Sequence, residues 1–218
     1  MRGLTEGLLD GVFRIEEAGP DLLREIRRLE RLTDELSLVT RAEAGVIPVE
    51  LQAASLAELV RVACAQFDRP FSSKGLTLTV DVQEDAWVLA DRDRFTQVLV
   101  NLLSNALRHT SEGGATVSSG IQKGLGQVTV RDTGEGIAAH DLPHVFERFY
   151  RSDTSRARDA VEDIGTGIGL TVSLHLVEAM GGTLQASSEV GKGTLLTVSL
   201  PLAGRSEAMA RPAQKQRI

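Results

Sequence analysis

Gln97–Thr110, QVLVNLLSNALRHT, is the stretch that most restricts what this chain can fold into. Wound as a helix at about 100° per residue, Phe95, Val98, Leu99, Leu102, Leu103, Ala106 and Leu107 cover most of its circumference. One narrow polar stripe remains: Gln97, Asn101, Ser104, Asn105 and Arg108. A helix apolar on nearly every side belongs in an interior. An unpaired polar group buried with it costs about 1–3 kcal/mol, so the carboxamides and the guanidinium need partners. Neighbouring backbone could satisfy them, and so could a polar ligand; the stripe alone leaves both open.

The rest of the 218 residues offers room for one full domain and an appendage, or two small domains. Aliphatic rather than aromatic packing is expected, since only 4% of residues are aromatic. A net charge of −6 argues against nucleic acid as a partner, which leaves a basic footprint on the proteins that bind it. Cys64 is the single cysteine, so an internal disulfide and a multi-cysteine zinc site are excluded. No apolar run approaches the roughly 18–20 residues of a membrane span, and no signal-peptide core follows Met1. The chain is expected to be cytoplasmic, with no membrane contact of its own.

Taken in order, residues 1–13 repeat Leu4, Leu8 and Val12 without a capping residue in front, as the end of a helix would. Gly19-Pro20-Asp21 opens a second helix whose seam is Leu22, Ile26, Leu29, Leu32, Leu36 and Val39, ended by Gly45 and Pro48. That seam must be buried against the first helix, a second subunit or the rest of a single domain. Leu56, Leu59, Val60, Ala63 and Phe67 predict a further amphipathic helix after Ser55. Leu76–Val82 alternates as a half-buried strand, Trp87–Ala90 is a short second strand, and Asp91 stands ready to cap the central helix. Strands are predicted near Ala115–Gln122, Gln127–Arg131, Thr183–Ser188 and Thr194–Leu200, with a helix from about Gly167 to Met180 stopped by Gly181-Gly182. Residues 138–164 lack periodicity and have the length of a lid; residues 203–218 have the composition of a disordered tail. The pattern predicts an α+β fold, a two-layer sandwich of a mixed, mainly antiparallel sheet with helices on one face.

Three glycine turns carry the chemistry. Asp132-Thr133-Gly134-Glu135-Gly136-Ile137 follows a strand directly. An aspartate there can accept a hydrogen bond from an amino group, and glycines let backbone approach a ligand closely; a plain turn has the same composition. Gly165-Thr166-Gly167-Ile168-Gly169-Leu170 opens a helix, where free N–H groups and the helix dipole favour a phosphate. It does not open a βαβ unit with an acidic residue about 20 positions on, which rejects a dinucleotide fingerprint. Gly191-Lys192-Gly193-Thr194 reads as a hairpin turn.

In this order, the motifs resemble the sensor histidine-kinase branch of the ATPase superfamily that also holds the gyrase, heat-shock-chaperone and mismatch-repair ATPases. Asn101–Ala106 resembles its N box, DTGEGI its G1 box and GTGIGL its G2 box, while Phe146-Glu147-Arg148-Phe149-Tyr150-Arg151 resembles the F box that sets sensor kinases apart. The resemblance covers roughly residues 20–202. It implies a Bergerat-type ATP-binding fold over 48–202, a truncated dimerisation helical hairpin without the phosphoacceptor histidine over 1–47, and a two-component phosphorelay. It implies further that Asp132 binds the adenine amino group, with His109 beside the base and Gly134, Gly136 and Ile137 in the turn. By the same resemblance Asn105 would ligate Mg²⁺ with Asn101 supporting it, Arg108 would face the phosphates of ATP, and Gly165, Thr166, Gly167, Ile168, Gly169 and Leu170 would wrap them, with Thr194 in the third turn.

The chain departs from the family at two places. The family's acceptor histidine lies on the first helix of the hairpin, yet the first histidine here is His109; His140, His144 and His175 follow it. Ile164-Gly165 also stands where the family usually has Gly-Gly. The expected activity is transfer of the ATP γ-phosphoryl group to a histidine outside this chain, for relay to the receiver domain of a response regulator. Self-phosphorylation of this chain is expected to be absent. A homodimer through residues 1–45 and a parent anchored in an inner membrane are the expected context. The rivals are an anti-sigma-type serine kinase on the same fold and a non-catalytic nucleotide-binding interaction module.

Overall fold

A computed structural model describes residues 47–82, 86–150 and 167–204, with scattered helical positions between Glu16 and Arg41. The chain divides into two compact units, Met1–Gly45 and Val46–Ile218. In the first, Leu22, Ile26, Leu29 and Leu32 are helical as their spacing predicts. The expectations for residues 1–13, for Leu36 and Val39, for Gly165 and Thr166, and for the tail beyond Gly204 fall outside the described residues.

The second unit runs β1 (Gln52–Ser55), α1 (Leu56–Ala65), α2 (Asp68–Ser73), β2 (Thr77–Val82), β3 (Trp87–Ala90), α3 (Arg92–His109), β4 (Gly114–Gln122) and β5 (Leu125–Asp132). A 3₁₀ turn, Leu142–His144, precedes α4 (Gly169–Ala179), β6 (Thr183–Glu189) and β7 (Gly193–Pro201). Five strands form one sheet in the order β2-β4-β5-β7-β6, antiparallel except for the β2–β4 pair. Strands β1 and β3 pair antiparallel as a separate ribbon, joined to the end of β7 by a bridge from Val88 to Leu202. Helices α1, α3 and α4 lie side by side over the large sheet. The architecture is the two-layer α+β sandwich that the sequence predicts.

The core lies between these layers. Phe95, Val98, Leu99, Leu102, Leu103 and Ala106 of α3 are all buried, and α3 packs against both α1, where Leu56, Val60 and Ala63 are buried, and α4, where Val172, Leu176 and Val177 are buried. At about 25 cal/mol per Å² of apolar surface, this burial is the main force holding the central helix in place. Asp91 caps it: Oδ1 accepts from the Asp93 and Arg94 amides at 3.1 and 3.0 Å, while Oδ2 accepts from the Glu50 amide at 3.0 Å. Asp91→Ala should therefore lower the stability of this unit by about 1–2 kcal/mol. The check is a urea titration followed by the fluorescence of Trp87, the only tryptophan, with a lower midpoint and an unchanged slope.

Three local expectations are corrected. The alternating segment 76–82 lies at the sheet edge, so its apolar face is only partly covered and Val80 stands 40% exposed. Helix α4 begins at Gly169, two residues later than its composition suggests, because Gly167 has φ +68° and cannot join a right-handed helix. Strand β1 and helix α2 add two elements that periodicity does not reveal; the backbone of Gln52–Ser55 is extended because it pairs with β3. Among the described residues no helix is long and apolar enough to cross a membrane.

Candidate functional site

Two strand ends, a helix end and a helix start come together at the candidate site. Asp132 is the last residue of β5 and is 7% exposed. Its Oδ1 accepts from the amides of Gly134 and Thr194 at 2.9 and 3.1 Å. The second carboxylate oxygen has no partner among the described residues and is the free acceptor of the pair. Burial raises the pKa of this carboxyl above the ordinary aspartate value; the two amides and His109 pull it down, and Glu135 opposes them.

The turn after Asp132 lies directly against the C-terminal end of α3. A Cβ on Gly134 would strike the His109 carbonyl, so only glycine permits this approach. The Glu135 amide donates to that same carbonyl at 3.2 Å, and the His109 imidazole Nδ1–H donates to Glu135 Oε1 at 2.9 Å. The β6–β7 hairpin braces the turn from the other side. Gly191 N–H donates to the Glu135 carbonyl at 2.8 Å, Ile137 N–H donates to Ser188 Oγ at 2.8 Å, and Ser188 Oγ lies 3.0 Å from Thr194 Oγ1. The Gly191–Thr194 segment is a hairpin turn, and it also holds the aspartate.

The polar stripe of α3 divides its duties. Asn101 Nδ2 donates to the Gly169 carbonyl at 3.2 Å and to Ser173 Oγ at 3.3 Å, clipping the carboxamide helix to the first turn of α4. Its partners lie on α4 rather than on Asn105. Asn105, half-buried one turn further on, has no hydrogen-bond partner among the described residues. A carboxamide oxygen left open in this way suits a hard cation such as Mg²⁺, which takes oxygen ligands and keeps part of its water shell. Arg108 is exposed at the last turn of α3.

Among the described residues no side chain caps the start of α4, and the amides of its first turn, at Gly169 and Leu170, are suited to an anion. Ile168 is buried just before it, and Gly167 accepts from the Phe149 amide at 3.0 Å. Thr171 Oγ1 donates to the Phe146 carbonyl at 2.8 Å, while Tyr150 Oη donates to Asp141 Oδ1 at 2.6 Å. Through the Phe149–Gly167 and Thr171–Phe146 bonds residues 146–150 are moored to the start of α4. Residues 138–150 hold only a 3₁₀ turn of regular structure, as their lack of periodicity predicts.

Sequence reasoning missed Lys74, Ser173 and Ser188. The Lys74 ammonium donates to the carbonyls of Leu107, Arg108 and Thr110 at 2.6, 3.3 and 2.9 Å, closing the C-terminal end of α3. Nothing in the unpatterned segment around Lys74 signals this role. Ser173 gave a signal, a small polar residue four positions after Gly169 inside an apolar helix.

The model of the family described as "Histidine kinase-, DNA gyrase B-, and HSP90-like ATPase" matches residues 90–204. The signal transduction histidine-protein kinase BaeS of Escherichia coli is 34% identical over 204 residues, covering 93% of this chain and 43% of BaeS. The sensor protein SrrB of Staphylococcus aureus is 33% identical over 206 residues, covering 92% of this chain and 35% of SrrB. This chain thus spans less than half the length of these curated relatives. Among solved structures, the Acinetobacter baumannii histidine kinase AdeS superposes with a TM-score of 0.77 at 24% identity, covering 93% of both chains. Full-length ShkA, solved in complex with AMPPNP, superposes with a TM-score of 0.75 at 27% identity over 88% of this chain and 40% of its own.

Proposed function

The chain belongs to the histidine kinase-, DNA gyrase B- and HSP90-like ATPase family, and from that membership we propose that it is the ATP-binding catalytic part of a sensor histidine kinase. The observation that carries this reading is the Asp132 carboxylate, pinned by one oxygen to Gly134 and Thr194 while the other stays open to the amino group of adenine. His109 lines the base, and Gly134, Gly136 and Ile137 form the floor of its pocket. The first turn of α4, with Gly165–Ile168 before it, receives the phosphates, and Arg108 faces them. The FERFYR segment and the relatives matched over nine-tenths of the chain favour a histidine kinase over other members of the family.

Asn105 would hold Mg²⁺ through its carboxamide oxygen, and the metal would supply charge neutralisation on the phosphates. The residues themselves perform no covalent chemistry: phosphoryl transfer depends on position and charge compensation. Asn101 sets the spacing between the carboxamide helix and the phosphate-binding turn through Gly169 and Ser173. The acceptor is a histidine outside these 218 residues, and a receiver-domain aspartate of a response regulator takes the group next. Residues 1–45 are the dimerisation region.

Incubation with γ-labelled ATP tests the reading. The chain alone should take up no acid-labile label. An added helical hairpin bearing a histidine acceptor, taken from a related sensor kinase, should become labelled in a magnesium-dependent way. Label on the chain itself, or none on any of several acceptor hairpins, contradicts the assignment.

A further inference from the structure

The proposed function gives no role to the Glu135 side chain of the Asp132–Ile137 turn. Glu135 lies between the glycines and reaches back to the end of α3, where its Oε1 accepts from His109 Nδ1 at 2.9 Å. Both side chains are only part-exposed, His109 at 39% and Glu135 at 27%, so the bond is partly shielded from water. The ring it holds belongs to the end of α3 against which the turn after Asp132 packs. An imidazole tied through one nitrogen loses its freedom to rotate about its terminal torsion, which is otherwise broad and roughly two-fold.

We propose that Glu135 is a positioning residue for base recognition, which holds the His109 ring in the plane that packs against the adenine. This rests on the nucleotide reading above. Fixing the ring before the ligand arrives removes an ordering cost from binding. Glu135 then differs from Asp132 in what it controls. Asp132 recognises the exocyclic amino group, whereas the Glu135–His109 pair provides a flat surface that any purine can use. The main-chain bonds of Glu135, from its amide to the His109 carbonyl and from Gly191 to its own carbonyl, do not involve the side chain. A substitution therefore removes the tether and leaves the turn in place.

The experiment measures dissociation constants by calorimetry for ADP and for purine riboside 5′-diphosphate, which lacks the amino group. It compares the wild-type chain with Glu135→Ala, Glu135→Gln, His109→Ala and the His109→Ala/Glu135→Ala double variant. Glu135→Ala should weaken both ligands about five-fold and leave their ratio unchanged, in the range of one aromatic contact. Glu135→Gln retains an acceptor oxygen and should stay within about two-fold of wild type. In the double variant the loss should equal that of His109→Ala alone, since the two residues act as one unit. Wild-type affinity in Glu135→Ala, no rescue by Glu135→Gln, or a further loss in the double variant would overturn the proposal. A wild-type chain that ignores both ligands would remove the nucleotide reading itself, and that result is distinct from all three.

Discussion

Asp132→Asn should lower the affinity for ADP about 100-fold, the scale of a charge-assisted hydrogen bond turned into a clash of two donors. The substitution is nearly isosteric. The Asn oxygen can keep the bonds from the Gly134 and Thr194 amides that Oδ1 now accepts. Its amide nitrogen then replaces the open oxygen and meets the amino group of adenine donor to donor. A 6-oxo purine presents an acceptor at the same place, so the variant should prefer GDP to ADP. The apo protein should not suffer. Burial raises the Asp132 pKa, so the folded state holds the ionised carboxylate less comfortably than the unfolded chain does. The sign follows: this group weighs against folding above its raised pKa, and the penalty fades as pH falls through it. A melting temperature at neutral pH equal to or above wild type, together with lost ADP binding, is the expected pair of results. A variant that binds ADP as wild type does would remove Asp132 from base recognition.

Asn105→Ala should have the second large effect, on catalysis more than on the base. Asn105 has no hydrogen-bond partner among the described residues, so truncating it breaks no bond within them. Its predicted role is toward the metal alone. Calorimetry should show ADP binding that no longer strengthens when Mg²⁺ is added. Transfer from γ-labelled ATP to a supplied acceptor hairpin should fall on the order of 10²–10³-fold, the scale of losing one preorganised electrostatic contact. The contrast with Asn101 sharpens the test. Asn101→Ala would break the bonds to Gly169 and Ser173 and should lower the melting temperature, whereas Asn105→Ala should not. An Asn105→Ala chain that keeps its magnesium dependence would exclude this residue as a ligand.

Periodicity made the layers of this fold legible. Helix α3 shows an apolar pattern over 18 residues, long enough that no strand could accommodate it. The cap at Asp91 and the stop at Gly181-Gly182 are short-range signals, and both operate as local chemistry dictates. What stayed illegible depends on distant partners. Strand β1 exists because β3 lies beside it, and nothing in QAAS alternates. The exposure of Val80 depends on β2 being an edge, a property of strand order rather than of the segment. In the candidate site, the order of motifs pointed to Asp132, Asn101 and Asn105. Their division of labour was hidden: Asn101 is engaged by a carbonyl and a hydroxyl from α4, about 70 residues away in the chain. Gly191–Thr194 looked like a mere reversal because its second task, bracing Asp132, is visible only across the sheet.

The ammonium of Lys74 belongs to a part of the chain that the family match, residues 90–204, leaves out. So do β2, the parallel neighbour of β4, and β1, the strand that pairs with β3 along its whole length. An excised piece beginning at residue 90 would forfeit the cation over three carbonyls at the very turn that presents Arg108 and His109. The boundary of the family model and the boundary of a self-sufficient fold are therefore different lines on this polypeptide, and a minimal nucleotide-binding fragment is expected to start ahead of Gln52.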